Sequence, residues 1–134
     1  MDIDTAKNLI RRAQEALANS YSPYSKLRVG AALLTQEGKI FTGVNIENAS
    51  FSLTICAERV AVFKAVSEGY RQFKAIAITS DRGRIMPCGA CRQVLAEFSP
   101  DMDIIVGDEN EIEIFGLDSL LPEGFNKSFI DTAD

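Results

Sequence analysis

The sequence contains no histidine, and its 134 residues hold only three cysteines. Three thiols cannot pair completely, so a disulfide framework is not expected; an odd, small number fits a reducing compartment in which cysteines serve metal binding or catalysis. A basic excess is also missing. Fourteen Lys and Arg stand against nineteen Asp and Glu, giving a net charge of −5 and an isoelectric point near 4.8, which argues against the positive face that a nucleic-acid partner requires. No apolar run reaches membrane-spanning length, and the first twenty residues scatter Asp2, Asp4, Lys7, Arg11 and Arg12 through an amphipathic pattern. Neither a membrane partner nor a signal segment is therefore expected. Linkers, internal repeats and low-complexity segments are absent as well. What remains is one domain by length, residues 1–134, with 46% apolar and 25% charged residues, an ordinary globular composition expected in the cytoplasm.

The three cysteines fall in two stretches about thirty residues apart, Thr54-Ile55-Cys56-Ala57-Glu58-Arg59 and Pro87-Cys88-Gly89-Ala90-Cys91-Arg92-Gln93. Each leads into an apolar run of helical period, Val60 to Val66 and Val94 to Phe98. Cys88 and Cys91, three apart in a first helical turn, share a face and can chelate one ion. Three thiolates suffice for a catalytic zinc whose fourth position is left to water, whereas a closed structural site needs a fourth protein ligand, which a chain without histidine or further cysteine cannot supply. Other readings exist. A Cys-x-x-Cys pair at a helix start also serves thiol–disulfide exchange, which leaves Cys56 without a role, and free cysteine is often a small buried hydrophobe. Glu58 alone would be an acid favoured by the helix dipole. The conjunction decides: Cys-x-Glu followed by Pro-Cys-x-x-Cys is the known signature of zinc nucleobase deaminases, in which the Glu is the acid–base.

Two physical constraints follow. Residues two apart in a helix lie roughly 200° apart about its axis, so Cys56 and Glu58 can both face a metal only at the cap or first turn. Three thiolates and Zn²⁺ also sum to −1, which helix N-termini would partly offset. Arg59 and Arg92, each adjacent to a ligand motif, are candidates for the same compensation, with Arg59 expected on a ligand sulfur; as ordinary surface pairs they would contribute at most about 1 kcal/mol.

Read in order, the chain predicts a helix over residues 4–19 with Leu9, Ile10, Ala13, Ala16 and Leu17 on one face and Asp4 as N-cap. A loop at Tyr21 to Ser25 follows, then strands Val29 to Leu34 and Lys39 to Val44 about the turn Gln36-Glu37-Gly38. Asn45 to Ser50 reads as a polar turn, yet Asn45 and Glu47, continuing a strand, would project to one side and could bind adjacent sugar hydroxyls. A helix over about 55–68 ends at Gly69, strand Phe73 to Thr79 follows, and the second cysteine helix stops before Pro100. Short strands Ile104 to Val106 and Ile112 to Phe115 precede a last helix at Asp118 to Leu121. That order predicts a parallel α/β core preceded by a hairpin.

Over nearly its whole length the chain resembles the small, homotetrameric, three-cysteine cytidine deaminases. Pro23-Tyr24-Ser25, Gly30 to Leu34, Gly43, Asn45-Ile46-Glu47-Asn48-Ala49, Cys56 to Arg59, Lys64 to Gly69, Pro87 to Gln93 and Leu120-Leu121-Pro122 carry the likeness. The resemblance implies a three-layer α/β/α sandwich around a five-stranded mixed sheet. It implies one Zn²⁺ per chain on Cys56, Cys88 and Cys91, Glu58 as proton shuttle, Asn45 and Glu47 on the ribose, and Leu27, Phe51 and Ala57 at the substrate. Phe125 would be an aromatic lent to a neighbouring subunit's pocket, in a homotetramer with shared sites. The implied reaction converts cytidine and deoxycytidine to uridine and deoxyuridine plus ammonia, in pyrimidine salvage. Leu27 stands where relatives usually have phenylalanine and Phe51 where tyrosine is common, which implies a looser pocket. Two other functions are consistent with the zinc motif: deamination of a cytosine-nucleoside analogue or antibiotic, and a non-catalytic zinc-stabilised interaction module. Glu58 separates the latter, since a structural site has no use for an acid there.

Overall fold

Helix α1 (Ile3–Ala16) opens a computed structural model that describes residues 1–130. Its N-cap is Asp2, whose carboxylate accepts from the Thr5 amide at 2.8 Å. Asp4, expected as the cap, instead lies in the first turn, where its charge suits the helix dipole. The helix also stops at Ala16, and Leu17–Asn19 tighten into a 3₁₀ turn. Ala6, Leu9, Ile10 and Ala13 form its buried face.

Strands β1 (Val29–Thr35) and β2 (Ile40–Val44) form the expected hairpin. Helix α2 (Ala57–Ser67), strand β3 (Phe73–Ser80), helix α3 (Gly89–Phe98), strands β4 (Asp103–Gly107) and β5 (Ile112–Gly116), and helix α4 (Leu117–Leu120) complete the order. Gly69 ends α2 with a φ of 96°, a conformation open to glycine at no steric cost. The sheet runs β2-β1-β3-β4-β5. It corrects the parallel core expected from element order: β1 pairs antiparallel with both β2 and β3, β4 with β5 is antiparallel, and only β3–β4 is parallel. The crossover through α2 passes over β1, so β2 and β3 run the same way without touching.

Alternation along the strands builds two cores. Ala32, Ala75, Ala77 and Ile105 face α1. Ala31, Leu33, Ile76, Ile78, Ile104 and Val106 face the other way, toward Ala57, Ala61, Val62 and Ala65 of α2 and Leu95 of α3. The result is a three-layer α/β/α sandwich around a mixed five-stranded sheet. No helix among the described residues is long and apolar enough to cross a membrane.

Helix α2 lies directly on β2 because residue 43 has no side chain. A methyl group there would come 2.4 Å from the Ala57 carbonyl oxygen and 2.6 Å from the Ala61 amide nitrogen, both backbone atoms. Gly43→Ala should therefore push α2 outward and cost about 1–3 kcal/mol by overpacking, read as a lowered denaturant midpoint; an unchanged midpoint would show that α2 is not seated through this contact.

The topology brings three chain segments to one end of the sheet. β2 and β3 both finish there, each leading toward a helix, and antiparallel β1 begins there, with Val29 opposite Ser80 and Gly30 opposite Val44. The carboxyl ends of strands that feed helices are where α/β sheets place ligands.

Candidate active site

Cys56 is the N-cap of α2 and Cys88 the N-cap of α3, each with extended backbone (φ −77°, ψ 153° and φ −69°, ψ 167°). Because Cys56 is outside the helical conformation, the 200° separation that applies within a helix does not hold for it and Glu58. Cys88 Sγ accepts from the Cys91 amide at 3.4 Å, the ordinary bond of an N-cap side chain. Cys91 is fully buried in the first turn of α3.

The three sulfurs converge: Cys56 to Cys88 is 4.0 Å, Cys88 to Cys91 3.4 Å, and all lie within 4.8 Å of one another. Disulfides require about 2.05 Å. Tetrahedral ligands at about 2.3 Å from zinc stand about 3.8 Å apart, so the trio fits a single zinc ion. Its donors sit at two helix N-termini, whose partial positive charge favours thiolates.

Arg59 Nη2 donates to Cys56 Sγ at 3.2 Å, and its buried Nε has no hydrogen-bond partner among the described residues. Hydrogen bonding from Cys91, then from Arg59, pulls the Cys56 thiol down to about 5. Donation to that thiolate, together with burial, pushes Cys91 up. Glu58 is 4% exposed, and burial first, with the negative charge of Cys56 after it, raises its carboxyl to about 7. A carboxyl that exchanges protons near neutrality beside a metal site is suited to acid–base work.

Arg92 departs from the expected charge compensation. Its Nε donates to the Pro87 carbonyl and its Nη1 to the Leu120 carbonyl, both at 2.9 Å, so among the described contacts it reaches no sulfur. It ties the start of α3 to α4 instead.

A short backbone ladder carries Asn45 and Glu47 to the cysteines. Ile46 exchanges hydrogen bonds with Ile55 at 3.0 Å both ways, and on its other side pairs with Tyr21. Continuing that register sets Glu47 across from Thr54 and Asn45 across from Cys56, on one side of the ribbon. Glu47, Thr54, Tyr24, Ser25 and Phe51 line a cleft of about 410 Å³. Glu47 Oε1 accepts from the amides of Tyr24 (2.9 Å) and Ser25 (3.1 Å), and Oε2 from the Ser25 hydroxyl. The Ser25 hydroxyl, above all, holds the Glu47 carboxyl below the usual range. Asn45 is nearly buried: Oδ1 accepts from the Val29 amide (3.0 Å) and the Ser20 hydroxyl, while Nδ2 donates to the Leu27 carbonyl at 2.7 Å.

The remaining expected substrate residues are spread out. Phe51 is exposed in the cleft, edge-on to Tyr24 at 5.9 Å. Leu27 is half-buried against the α2 core. Ala57 is fully buried in that core, so its side chain offers substrate nothing and only its backbone is available. Phe125 is exposed in the segment after α4, stacked on Phe129 at 5.4 Å, with its carbonyl accepting from Gln93. The cleft residues to which sequence reasoning gave no role are Tyr24, Ser25 and Thr54. The Pro23-Tyr24-Ser25 motif is the sequence signal for the first two, and Thr54 opens the stretch that carries Cys56.

The family profile described as cytidine and deoxycytidylate deaminase zinc-binding region matches residues 3–108. A cytidine deaminase of Sporosarcina psychrophila is 48% identical over 130 residues, covering 95% of this chain and 93% of that one. One from Halalkalibacterium halodurans is 49% identical, covering 87% and 91%. The crystal structure of cytidine deaminase from Burkholderia pseudomallei superposes with a TM-score of 0.84 at 42% identity, covering 93% of this chain and all of that one. With the profile spanning both cysteine motifs and the relatives running nearly end to end, this chain belongs to the cytidine and deoxycytidylate deaminase family.

Proposed function

We propose that the chain catalyses zinc-dependent hydrolytic deamination of cytidine and deoxycytidine, yielding uridine or deoxyuridine and ammonia. One observation carries this: a carboxyl buried to 4% exposure and raised to about 7 sits in the first turn of the helix that Cys56 caps, beside three convergent thiols that fit one zinc. A zinc-stabilised interaction module would need neither the acid nor a ligand set one short of closure.

Cys56, Cys88 and Cys91 would hold the zinc, which would supply Lewis acidity of the kind that lowers the pKa of water from 15.7 to about 7. Glu58 takes a proton from the attacking water and delivers it to N3 of the cytosine, which makes C4 electrophilic as the C4–O bond forms. The same carboxyl then passes the second proton of that water to the amino nitrogen, the C4–N bond breaks, and ammonia leaves. Water and cytidine are consumed; uridine and ammonia are produced. Proton transfer of this kind contributes about 10²–10⁴-fold. Arg59 keeps Cys56 a thiolate by donating to its sulfur. Asn45 and Glu47 hold the sugar, and Phe51 lines the same cleft as Glu47.

The whole chain acts in this reading as one deaminase domain, in cytoplasmic pyrimidine salvage. Exposed Phe63 on α2, with Ile46, Phe51 and Leu53 near the site, gives apolar surface that further copies would cover. That supports a homotetramer, in which Phe125 completes a neighbour's pocket. The direct test follows the ultraviolet absorbance of cytidine and of deoxycytidine on mixing with purified, zinc-loaded protein. Stoichiometric ammonia release is expected, and an unchanged spectrum would overturn the reading.

A further inference from the structure

Residues 22–28 wrap around the sugar-facing pair in a way that the deamination chemistry leaves unused. Lys26 takes a left-handed conformation, φ 61°, which is uncommon for a residue with a side chain, and its amide donates back to the Ser22 carbonyl at 3.0 Å. That turn faces Ser25 toward Glu47 and the Leu27 carbonyl toward Asn45 Nδ2. The loop is pinned from outside as well: Arg82 donates to the Lys26 carbonyl at 3.2 Å, and the Arg28 amide donates to Asp81 at 3.1 Å.

Counting lone pairs shows what the loop does. Glu47 Oε1 spends both of its acceptor directions on the Tyr24 and Ser25 amides, and Oε2 spends one on the Ser25 hydroxyl. The Ser25 oxygen accepts from the Leu27 amide at 3.1 Å, which leaves its proton for Glu47. One acceptor direction on Oε2 is left. On Asn45, Oδ1 is filled by two donors and Nδ2 has one N–H without a partner among the described residues.

We propose that Ser25 is a positioning residue for sugar recognition, fixing Glu47 so that a single acceptor direction meets one hydroxyl of the nucleoside. This rests on the reading of Glu47 as a sugar contact. Without the Ser25 hydroxyl, Oε1 stays on its two backbone amides while Oε2 loses its orienting donor and is shared between the sugar and water, so substrate binding weakens while the chemistry at Glu58 is untouched.

The test compares Ser25→Ala and Ser25→Thr with the unaltered enzyme on cytidine, 2′-deoxycytidine and 3′-deoxycytidine. Ser25→Ala should raise KM for cytidine about tenfold, the scale of a hydrogen bond to a charged group, with kcat within about twofold. For whichever deoxynucleoside lacks the hydroxyl that is read, Ser25→Ala should leave KM unchanged. Ser25→Thr restores the hydroxyl and should restore KM. An equal rise in KM for all three nucleosides, or a fall in kcat without a rise in KM, overturns the proposal and makes Ser25 part of the general architecture. If the unaltered enzyme itself treats all three nucleosides alike, Glu47 does not read the sugar and both readings fall together.

Discussion

Glu58→Gln should keep one zinc per chain and lose about 10²–10⁴-fold in kcat. The substitution preserves shape and polarity in a site with little spare room, since Glu58 is 4% exposed at the start of α2. It removes the one property the reaction needs, the ability to take a proton from water and return it to the base and then to the leaving nitrogen. Burial that holds the carboxyl near 7 is what makes that exchange efficient at neutral pH, and an amide has no equivalent. Because the thiols are untouched, zinc content measured by atomic emission should stay at one per chain. KM should change little, since no sugar contact is altered. A variant retaining more than about a tenth of the original kcat would sink the role of Glu58.

Loss of the metal should have an effect as large. Cys91→Ala removes the one fully buried sulfur of the trio and leaves two ligands, too few for a tightly held catalytic zinc. Activity should fall to background and zinc should be absent after dialysis. In the unaltered protein the three thiols should react sluggishly with a thiol reagent while zinc is bound. Treatment with a chelator at mildly acidic pH, where protons compete for the thiolates, should make them reactive, and added zinc should restore activity. Three freely reactive thiols in fully active protein would exclude the cysteine site.

The metal trio was legible because cysteine is scarce here and its spacing is chemically restrictive; helix geometry narrowed Cys56 to the cap or first turn, and the structure puts it at the cap of a helix that starts at Ala57 rather than near residue 55. Short apolar runs bounded by turn residues likewise marked every strand to within a residue or two. What sequence order could not convey is which strand sits between which. The turn joining β1 and β2 is local, but the pairing of β1 with β3 joins residues from Thr35 and Phe73 to Val29 and Ser80, far apart in sequence, and nothing in α2 announces that its crossover passes over β1. Asp2 and Asp4 are equally good caps on composition, and only the bond to the Thr5 amide decides between them. Arg59 and Arg92 are each next to a ligand motif in sequence, yet only Arg59 turns toward sulfur, because carbonyls of Pro87 and Leu120 take the other guanidinium. Ser25 gave no periodic signal, being a loop residue whose partner lies 22 positions away.

The central place of β3 ties the metal site to the sheet. Cys56 precedes that strand and Cys88 follows it, while its own partners, β1 and β4, are distant in sequence on either side. Cys88 and Cys91 are brought together by the first turn of α3 alone, whereas Cys56 meets them through the placement of β3 between β1 and β4, a non-local closure that carries a loop-entropy cost. The three-sulfur site is therefore complete only where β3 lies between β1 and β4, and metal held by all three sulfurs reports that the middle of the sheet is in place.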